Sequence, residues 1–302
     1  MLPALKRLYL EKGALGVLEW IYDKKRFFPV KLVLKTIFKV FPYEHILRTT
    51  AKYNQSIPSK GFVKSTQTYI KNFNIDIKQI NSFDINGPCL IFGNHPTGLD
   101  PFIIASCLKR DDVYIVADNY QQRKGTFIGQ HVIPIFYSRT QKNLENRGFL
   151  NSIGFYAMRQ LTGYEEYETV KKQNQVTIQT AAKLLMDGHV VIIFPDGGSN
   201  NPELWYNGIG EIIKRTVDRE NKIKLFAANI QGISSFKLWR HFLFNRKKYL
   251  QSHPAHVVIS PQLTLASLCI ESHQESREIT ERLRSEYKAN KLWHPNYAYQ
   301  QA

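Results

Sequence analysis

Short apolar runs alternate with helical patterns along the chain after residue 60, and this alternation limits the possible fold more than any other sequence feature. Each run is nearly continuous in its apolar character. The runs are Cys89–Phe92, Val113–Val116, Val132–Phe136, Val190–Phe194 and Lys224–Ile230. Residues with helical spacing lie between them, for example Pro101–Leu108 and Val176–Met186. Strands that are apolar on both faces and alternate with helices predict an α/β fold with a mixed, largely parallel sheet covered by helices.

The first 60 residues differ from the rest of the chain in charge and periodicity. Leucines recur at helical spacing near the start, and a second helical segment follows Pro29. The stretch Pro58–Gly61 is typical of a boundary between structural units. We therefore predict a basic amphipathic helical region over residues 1–60 and an α/β domain over residues 61–302.

The positive charge of the chain indicates a negatively charged partner. The net charge is +16, and residues 1–80 contain 15 lysines and arginines against 5 acidic residues. Such a charge fits nucleic acid, an anionic membrane surface, a phosphorylated substrate or an acidic carrier protein. Its concentration near the N terminus predicts that the partner meets that end of the protein.

Apolar runs and cysteines exclude several classes of protein. No apolar run approaches the roughly 20 residues that a membrane-spanning helix requires. The three cysteines, Cys89, Cys107 and Cys269, are odd in number and far apart. This spacing excludes a disulfide framework and a paired Cys-x-x-Cys zinc site. We therefore expect a protein of a reducing compartment, the cytosol, and predict no metal site.

One helix of the N-terminal region has the composition of a membrane-surface helix. Lys31, Lys35 and Lys39 form a stripe at four-residue spacing, and Phe38 and Phe41 are among the apolar residues around it. Such a helix can place its apolar face among acyl chains and its cations near anionic headgroups. The alternative is a helix whose apolar face packs on the protein and whose lysines are solvated.

The segment Gly93–Pro101 follows the first predicted strand directly and contains a histidine and an aspartate five residues apart. A tight turn through Pro96–Gly98 can fold Asp100 back under the imidazole of His95. An aspartate that accepts a hydrogen bond from one ring nitrogen leaves the other nitrogen free to accept a proton, as a general base does. The alternative is that Asp100 caps a helix that begins at Pro101 and that His95 is a loop residue.

Two further segments lie at the ends of predicted strands and contain groups that can bind an anion. In Phe194–Asn200, Gly197 and Gly198 expose backbone N–H groups that could cradle a phosphate or an oxyanion. In Ile135–Arg139, the strand ends in a guanidinium that can bind a phosphate at two points. Taken alone, the arginine would be interpreted as an ordinary surface residue.

Together and in this order, the three segments resemble the lysophospholipid acyltransferase family, which includes glycerol-3-phosphate and 1-acylglycerol-3-phosphate acyltransferases. Asn94–Asp100 is similar to the His-containing block of that family, with Thr97 where serine is common. Phe136 and Arg139 match its second block. Phe194–Gly197 is similar to its Phe-Pro-Glu-Gly block, with aspartate in place of glutamate. The resemblance covers roughly residues 88–232.

The resemblance implies transfer of a fatty acyl group from a thioester, on coenzyme A or acyl-carrier protein, to a hydroxyl of a glycerol-phosphate or lysophospholipid acceptor. His95 would be the general base and Asp100 its orienting carboxylate, with no bound cofactor. The residues implied in substrate binding are Asn94, Thr97, Gly98, Arg139, Asp196, Gly197 and Gly198. The predicted partners are an anionic membrane surface, the thioester donor, a phosphorylated acceptor and, as one form of donor, an acidic acyl-carrier protein.

Several points stay open at the level of sequence. The Gly198-Ser199-Asn200 stretch and the strand Phe226–Ile230, which has no proline, depart from the usual pattern of the family. The acceptor, the acyl length and the carrier of the donor therefore stay open. The favoured interpretation is a peripheral enzyme of phospholipid biosynthesis on the cytosolic face of a membrane, which does not bind nucleic acid. The alternatives are a non-enzymatic basic module that binds membranes or nucleic acid, and a hydrolase of acyl thioesters.

Overall fold

The computed structural model describes residues 43–79, 85–138, 166–197, 203–217, 223–235 and 255–289, together with positions 16 and 238. Within these residues the chain forms a seven-stranded sheet with helices packed on both faces. The predicted basic helix with Lys31, Lys35 and Lys39 lies outside the described residues. No helix in the described ranges is both long and apolar enough to cross a bilayer.

The described elements follow one another in an alternating order. The helices are α1 (Tyr43–Lys60), α2 (Phe62–Asn72), α3 (Asp100–Ser106), α4 (Thr126–Gly129), α5 (Tyr167–Met186), α6 (Gly208–Val217) and α7 (Ser276–Ala289), with a 3₁₀ helix over Asn119–Lys124. The strands are β1 (Ile77–Gln79), β2 (Cys89–Gly93), β3 (Val113–Asp118), β4 (Val132–Ile135), β5 (Val190–Ile193), β6 (Lys224–Gln231) and β7 (Ala255–Ile259).

The sheet has the strand order β1-β7-β6-β2-β5-β3-β4. Adjacent strands are parallel except β6 and β7, which are antiparallel. The prediction of an α/β fold with a mixed, largely parallel sheet is therefore confirmed. Because β2 and β5 are neighbours and parallel, the segments that follow them leave the sheet at the same edge.

The sequence analysis did not predict β1 and β7, the two strands at one side of the sheet. β1 has only three residues, of which Lys78 and Gln79 are exposed, so it contains no apolar run. In β7, His256 interrupts the short apolar sequence, and the strand runs antiparallel to β6. Pairing with neighbouring strands stabilises both elements, and the sequence pattern does not report such pairing.

Alternate residues of β2 supply two hydrophobic cores, one on each face of the sheet. Cys89 and Ile91 pack against α1, α2 and α3, whereas Leu90 and Phe92 pack against α5, α6 and α7. All four side chains are fully buried. α1 runs through Pro58, which the sequence analysis placed at a unit boundary, and contributes Tyr53 to the first core.

A charged network ties the loops at the amino ends of the central strands together. Asp112 accepts hydrogen bonds from Arg110 Nε at 2.6 Å and from His189 Nδ1 at 3.0 Å. The same arginine donates to the carbonyl oxygens of Gly87 and Gly188, both at 2.6 Å. The Arg110 guanidinium is the main cause that lowers the pKa of Asp112 to about 2. The network thus connects the loops that precede β2, β3 and β5, at the edge opposite His95.

Candidate active site

His95 and Asp100 meet at the carboxyl end of β2. The chain leaves the strand at Gly93, turns through Pro96–Leu99 and enters α3 at Asp100. His95 Nδ1 lies 2.8 Å from Asp100 Oδ2. The structure therefore brings together the two residues that the sequence analysis paired, and their catalytic role stays a prediction.

Asp100 is fully buried and receives three hydrogen bonds. Besides His95, the Thr97 main-chain N–H donates to Oδ2 at 2.5 Å, and the Thr97 hydroxyl donates to Oδ1 at 2.7 Å. Burial raises the pKa of Asp100, and the hydrogen bonds from His95 and Thr97 oppose that rise because they favour the charged form. The carboxyl group therefore has a fixed orientation, set by donors on both of its oxygens.

The structure does not show Asp100 as the cap of α3, which was the alternative interpretation of this segment. α3 has no side-chain hydrogen bond at its N-cap, which is Leu99, and Pro101 lies in its first turn. The Asp100 carboxylate points back to Thr97 and His95 instead of forward along the helix. The Thr97 hydroxyl also accepts from the Leu99 N–H at 3.0 Å, which makes the turn rigid.

Asn94 fastens the start of the turn to the neighbouring strand β6. Its side-chain nitrogen donates to the Ile230 carbonyl at 2.9 Å, and its side-chain oxygen accepts from the Ile230 N–H at 2.7 Å. One residue earlier, a Cβ at Gly93 would lie 2.3 Å from the Ala228 carbonyl oxygen, so only glycine fits there. The first residues of the His95 turn are therefore held against β6 by a close backbone approach and by the two hydrogen bonds of the Asn94 amide.

The segment after β5 lies beside the same histidine. The Phe194 ring stacks on the His95 ring with 4.6 Å between centroids. Asp196 is buried, and Gly197 has a φ of +58°, a left-handed conformation that favours glycine. A Cβ at Gly197 would lie 2.8 Å from the Tyr206 ring. The structure thus brings the first and last predicted motifs to one place.

An apolar cavity of about 220 Å³ adjoins Phe194. Its apolar wall includes Ile135, Phe136, Ile178, Phe194, Tyr206 and Ile209. Two polar side chains in the wall form hydrogen bonds with the main chain. The Asn174 amide accepts from the N–H of Phe136 and donates to its carbonyl, and the Thr177 hydroxyl donates to a main-chain carbonyl. The cavity therefore offers an alkyl chain an apolar surface. A larger cavity of about 670 Å³ lies at the far end of α3, beside Cys107 and away from His95.

The remaining predicted residues fall into two groups. Asn94 and Thr97 make the protein contacts described above, and Gly98 is exposed in the turn. Arg139 and Gly198 lie outside the described residues, so the structure does not place them beside the site. The substrate-binding roles of all these residues stay predictions. In the described ranges there is no group of three or more His, Cys, Asp or Glu side chains suited to hold a metal ion.

Sequence reasoning missed three residues near the site. Tyr206 lines the cavity, and Tyr287 of α7 is buried with its hydroxyl 3.2 Å from the Ala228 carbonyl oxygen. Asn229 of the neighbouring strand β6 is also buried, and its side-chain nitrogen has no hydrogen-bond partner among the residues that the structure describes. The spacing of Ile279, Leu283 and Tyr287 indicates a buried helix face, but it does not show which strand end that face meets.

A family model described as acyltransferase matches residues 72–230. The chain belongs to the acyltransferase family. The matched range contains His95, Asp100 and Phe194–Gly197, and the predicted membership of an acyltransferase family is confirmed.

The chain was also compared with solved structures and with curated proteins. A similar solved structure is that of the 1-acyl-sn-glycerophosphate (LPA) acyltransferase PlsC from Thermotoga maritima, with 13% identity and a TM-score of 0.43. The similarity covers 85% of this chain and 93% of that one. No curated protein matches the chain.

Proposed function

We propose that this acyltransferase moves a fatty acyl group from a thioester to a hydroxyl of a glycerol-phosphate or lysophospholipid acceptor, with His95 as general base. The observation that carries the proposal is the 2.8 Å contact of His95 Nδ1 with the buried Asp100 carboxylate. That contact assigns the proton of the neutral imidazole to Nδ1 and leaves the lone pair on Nε2. Nε2 is then available to take a proton from an acceptor hydroxyl.

The reaction proceeds without a covalent enzyme intermediate. As Nε2 takes the hydroxyl proton, the acceptor oxygen attacks the thioester carbonyl carbon and a C–O bond forms. Asp100 stabilises the imidazolium that results. The tetrahedral oxyanion then collapses, the C–S bond breaks, and the thiolate that leaves takes the proton from Nε2. The products are an ester and a free thiol, and His95 returns to its neutral form.

The apolar cavity is suited to hold the acyl chain of the donor. Phe194 belongs both to the cavity wall and to the stack on His95, so a chain that fills the cavity begins close to the base. Burial of each methylene in such a site contributes about 0.8 kcal/mol. We propose this cavity as the acyl subsite for either donor, acyl-coenzyme A or acyl-carrier protein.

The phosphate of the acceptor is assigned to Arg139 and to the backbone of the Asp196–Gly198 loop. The resemblance of the motifs supports this assignment, and kinetics test it. Arg139→Lys keeps the charge but loses the planar two-point geometry, so the KM for a phosphorylated acceptor should rise more than the KM for the donor. Arg215→Lys, on exposed α6 surface, is the matched control. An unchanged acceptor KM would remove Arg139 from the site.

A substrate screen tests the activity itself. Purified protein is incubated with acyl-coenzyme A or acyl-carrier protein and with glycerol 3-phosphate, lysophosphatidic acid or a phosphate-free alcohol, and products are read by mass spectrometry. The proposal requires an ester that depends on the acceptor. Free fatty acid at the same rate with and without acceptor would identify a thioester hydrolase instead.

Residues 1–60 are proposed as the membrane-facing region of the enzyme, with residues 61–302 as the acyltransferase domain on the cytosolic leaflet. The charge of the first 80 residues supports this role, as do the exposed Lys52 and Lys60 of α1 and Lys64 of α2. A lysine near an anionic surface contributes about 1 kcal/mol, so three lysines change the partition coefficient roughly 100-fold.

Vesicle sedimentation tests the membrane role. Lys31, Lys35 and Lys39 are changed together to glutamate, which should release the protein from anionic vesicles, and added salt should have the same effect. The control changes three exposed lysines of α5 to glutamate, Lys171, Lys172 and Lys183. Equal sedimentation of both triple variants and the parent would mean that the stripe is a solvated face.

A further inference from the structure

The helix α7 lies outside the residues that the family model matches, yet it ends beneath the candidate active site. Tyr287, near its C terminus, is 2% exposed. The Tyr287 ring packs against Phe92 of β2, at 6.2 Å between centroids, and against Trp205, at 5.6 Å. The hydroxyl of this tyrosine is therefore delivered to the carboxyl edge of the sheet by an apolar stack that fixes the ring.

The hydroxyl occupies the point where β2 and β6 separate. The ladder of these two strands ends with the pair Gly93 and Ala228. The Tyr287 hydroxyl donates to the Ala228 carbonyl at 3.2 Å. This hydrogen bond connects α7 to the last paired residue of β6, which lies opposite Gly93, the residue before Asn94. The Asn94 amide contacts Ile230 two residues further along β6, so both contacts lie where the His95 turn leaves the sheet.

The same tyrosine is electrostatically coupled to the segment after β5. Burial and, to a smaller extent, the negative charge of Asp196 raise the pKa of Tyr287, so the phenol keeps its proton across the physiological range. A permanently protonated phenol is a constant hydrogen-bond donor. Tyr287 therefore contacts β2, the strand that leads into the His95 turn, and is electrostatically coupled to the segment after β5.

We propose that Tyr287 is a positioning residue for acyl transfer, which holds the Ala228 end of β6 beside Gly93 and thereby sets the direction of the His95 imidazole. The inference rests on the proposed function of His95. A displacement of about 1 Å at a catalytic group can reduce turnover on the order of 100-fold, so a single distant hydroxyl can matter this much.

The test compares Tyr287→Phe with Thr280→Val. Both variants remove one buried hydroxyl from α7, but the Thr280 hydroxyl donates to the Ser276 carbonyl of its own helix and not to a strand of the sheet. We expect Tyr287→Phe to lower kcat about 10-fold or more, with the KM values of donor and acceptor changed less than about threefold. Thr280→Val should leave kcat within about twofold of the parent, even where it shifts the thermal midpoint equally.

A second readout does not depend on turnover. The Nδ1 proton of His95, held by Asp100, gives a downfield imidazole signal in proton NMR, and misorientation of the ring should shift or broaden it in Tyr287→Phe but not in Thr280→Val. All measurements are made well below the thermal midpoint of the less stable variant. A parent without transferase activity whose signal still responds only to Tyr287→Phe would refute the proposed function and leave the positioning role standing.

Three outcomes would overturn the positioning role. In the first, Tyr287→Phe keeps more than half of the parental kcat and the parental imidazole signal. In the second, both hydroxyl variants lose activity to the same degree. In the third, Tyr287→Phe does not fold at any temperature, because the hydroxyl would then serve the fold and not the direction of His95.

Discussion

Substitution of His95 by alanine removes the ring nitrogen that we propose takes the proton from the acceptor hydroxyl. We expect it to lower kcat by about 10²- to 10⁴-fold, the range typical of a positioned general base. At 1.36 kcal/mol for each factor of ten, this loss corresponds to roughly 3–5 kcal/mol of transition-state stabilisation. The variant keeps Phe194, the cavity wall and the substrate-binding segments, so the KM values should change much less.

The cost to stability should be smaller and can be separated from the cost to activity. His95 supplies one of three hydrogen bonds to Asp100, and both bonds from Thr97 persist without it. Loss of one hydrogen bond to a buried charged group typically costs about 1–3 kcal/mol. The side chain of His95 is 24% exposed, so its removal opens the site to water and not a sealed void. The variant should therefore fold.

The assay measures ester formation and thermal unfolding on the same preparations, with His273→Ala as the matched control. His273 has a side chain that is 77% exposed and interacts with Glu271 at the surface. The control should keep parental turnover. If His95→Ala retained more than about a tenth of parental kcat, outside the range for a general base, the assignment of His95 would be wrong.

Three further perturbations follow from named contacts. Thr97→Val removes the hydroxyl that bridges the buried Asp100 carboxylate and the Leu99 N–H, and it should lower the free energy of unfolding by about 1–3 kcal/mol, whereas Thr97→Ser should cost much less; chemical denaturation measures both. Gly197→Ala puts a Cβ in the left-handed region against an aromatic ring and should cost about 1–2 kcal/mol or more, while Gly208→Ala, in open space, should not; an equal effect would contradict the strain. The pKa of Asp112 is lower in the folded than in the unfolded state, so its stabilisation is present above about pH 4 and lost as pH falls toward 2. The unfolding free energies of Asp112→Asn and the parent should therefore converge over that pH range. The control is Asp76→Asn, and if its unfolding free energy converged with that of the parent by the same amount, the pH dependence would not come from the lowered pKa of Asp112.

Local patterns were enough to predict most of the sheet. Five strands were predicted from continuous apolar runs, because a strand buried on both faces must be apolar at nearly every position. The edge strand β1 and its neighbour β7 were missed because pairing, and not composition, decides them. The motif around His95 was predicted to fold Asp100 back on the imidazole because the two residues are close in sequence, so only one turn was needed to place them.

Burial and long-range contact were beyond sequence reasoning. Nothing in the pattern of Asn94–Asp100 indicates that Asp100 is completely enclosed or that Thr97 supplies two of its hydrogen bonds. The stack of Phe194 on His95 requires β5 to lie beside β2, a choice made by the packing of the whole sheet.

The sequence alone determined the α/β class, the family resemblance and the pairing of His95 with Asp100, since each depends on residues near one another in the chain. The tertiary structure alone decided that the segments after β2 and β5 meet where Phe194 stacks on His95, and that Tyr287, from the last described helix, reaches the Ala228 carbonyl. The reason is physical: contacts between distant segments form only when their apolar faces are buried together, and each face is compatible with many partners until the complete core selects one.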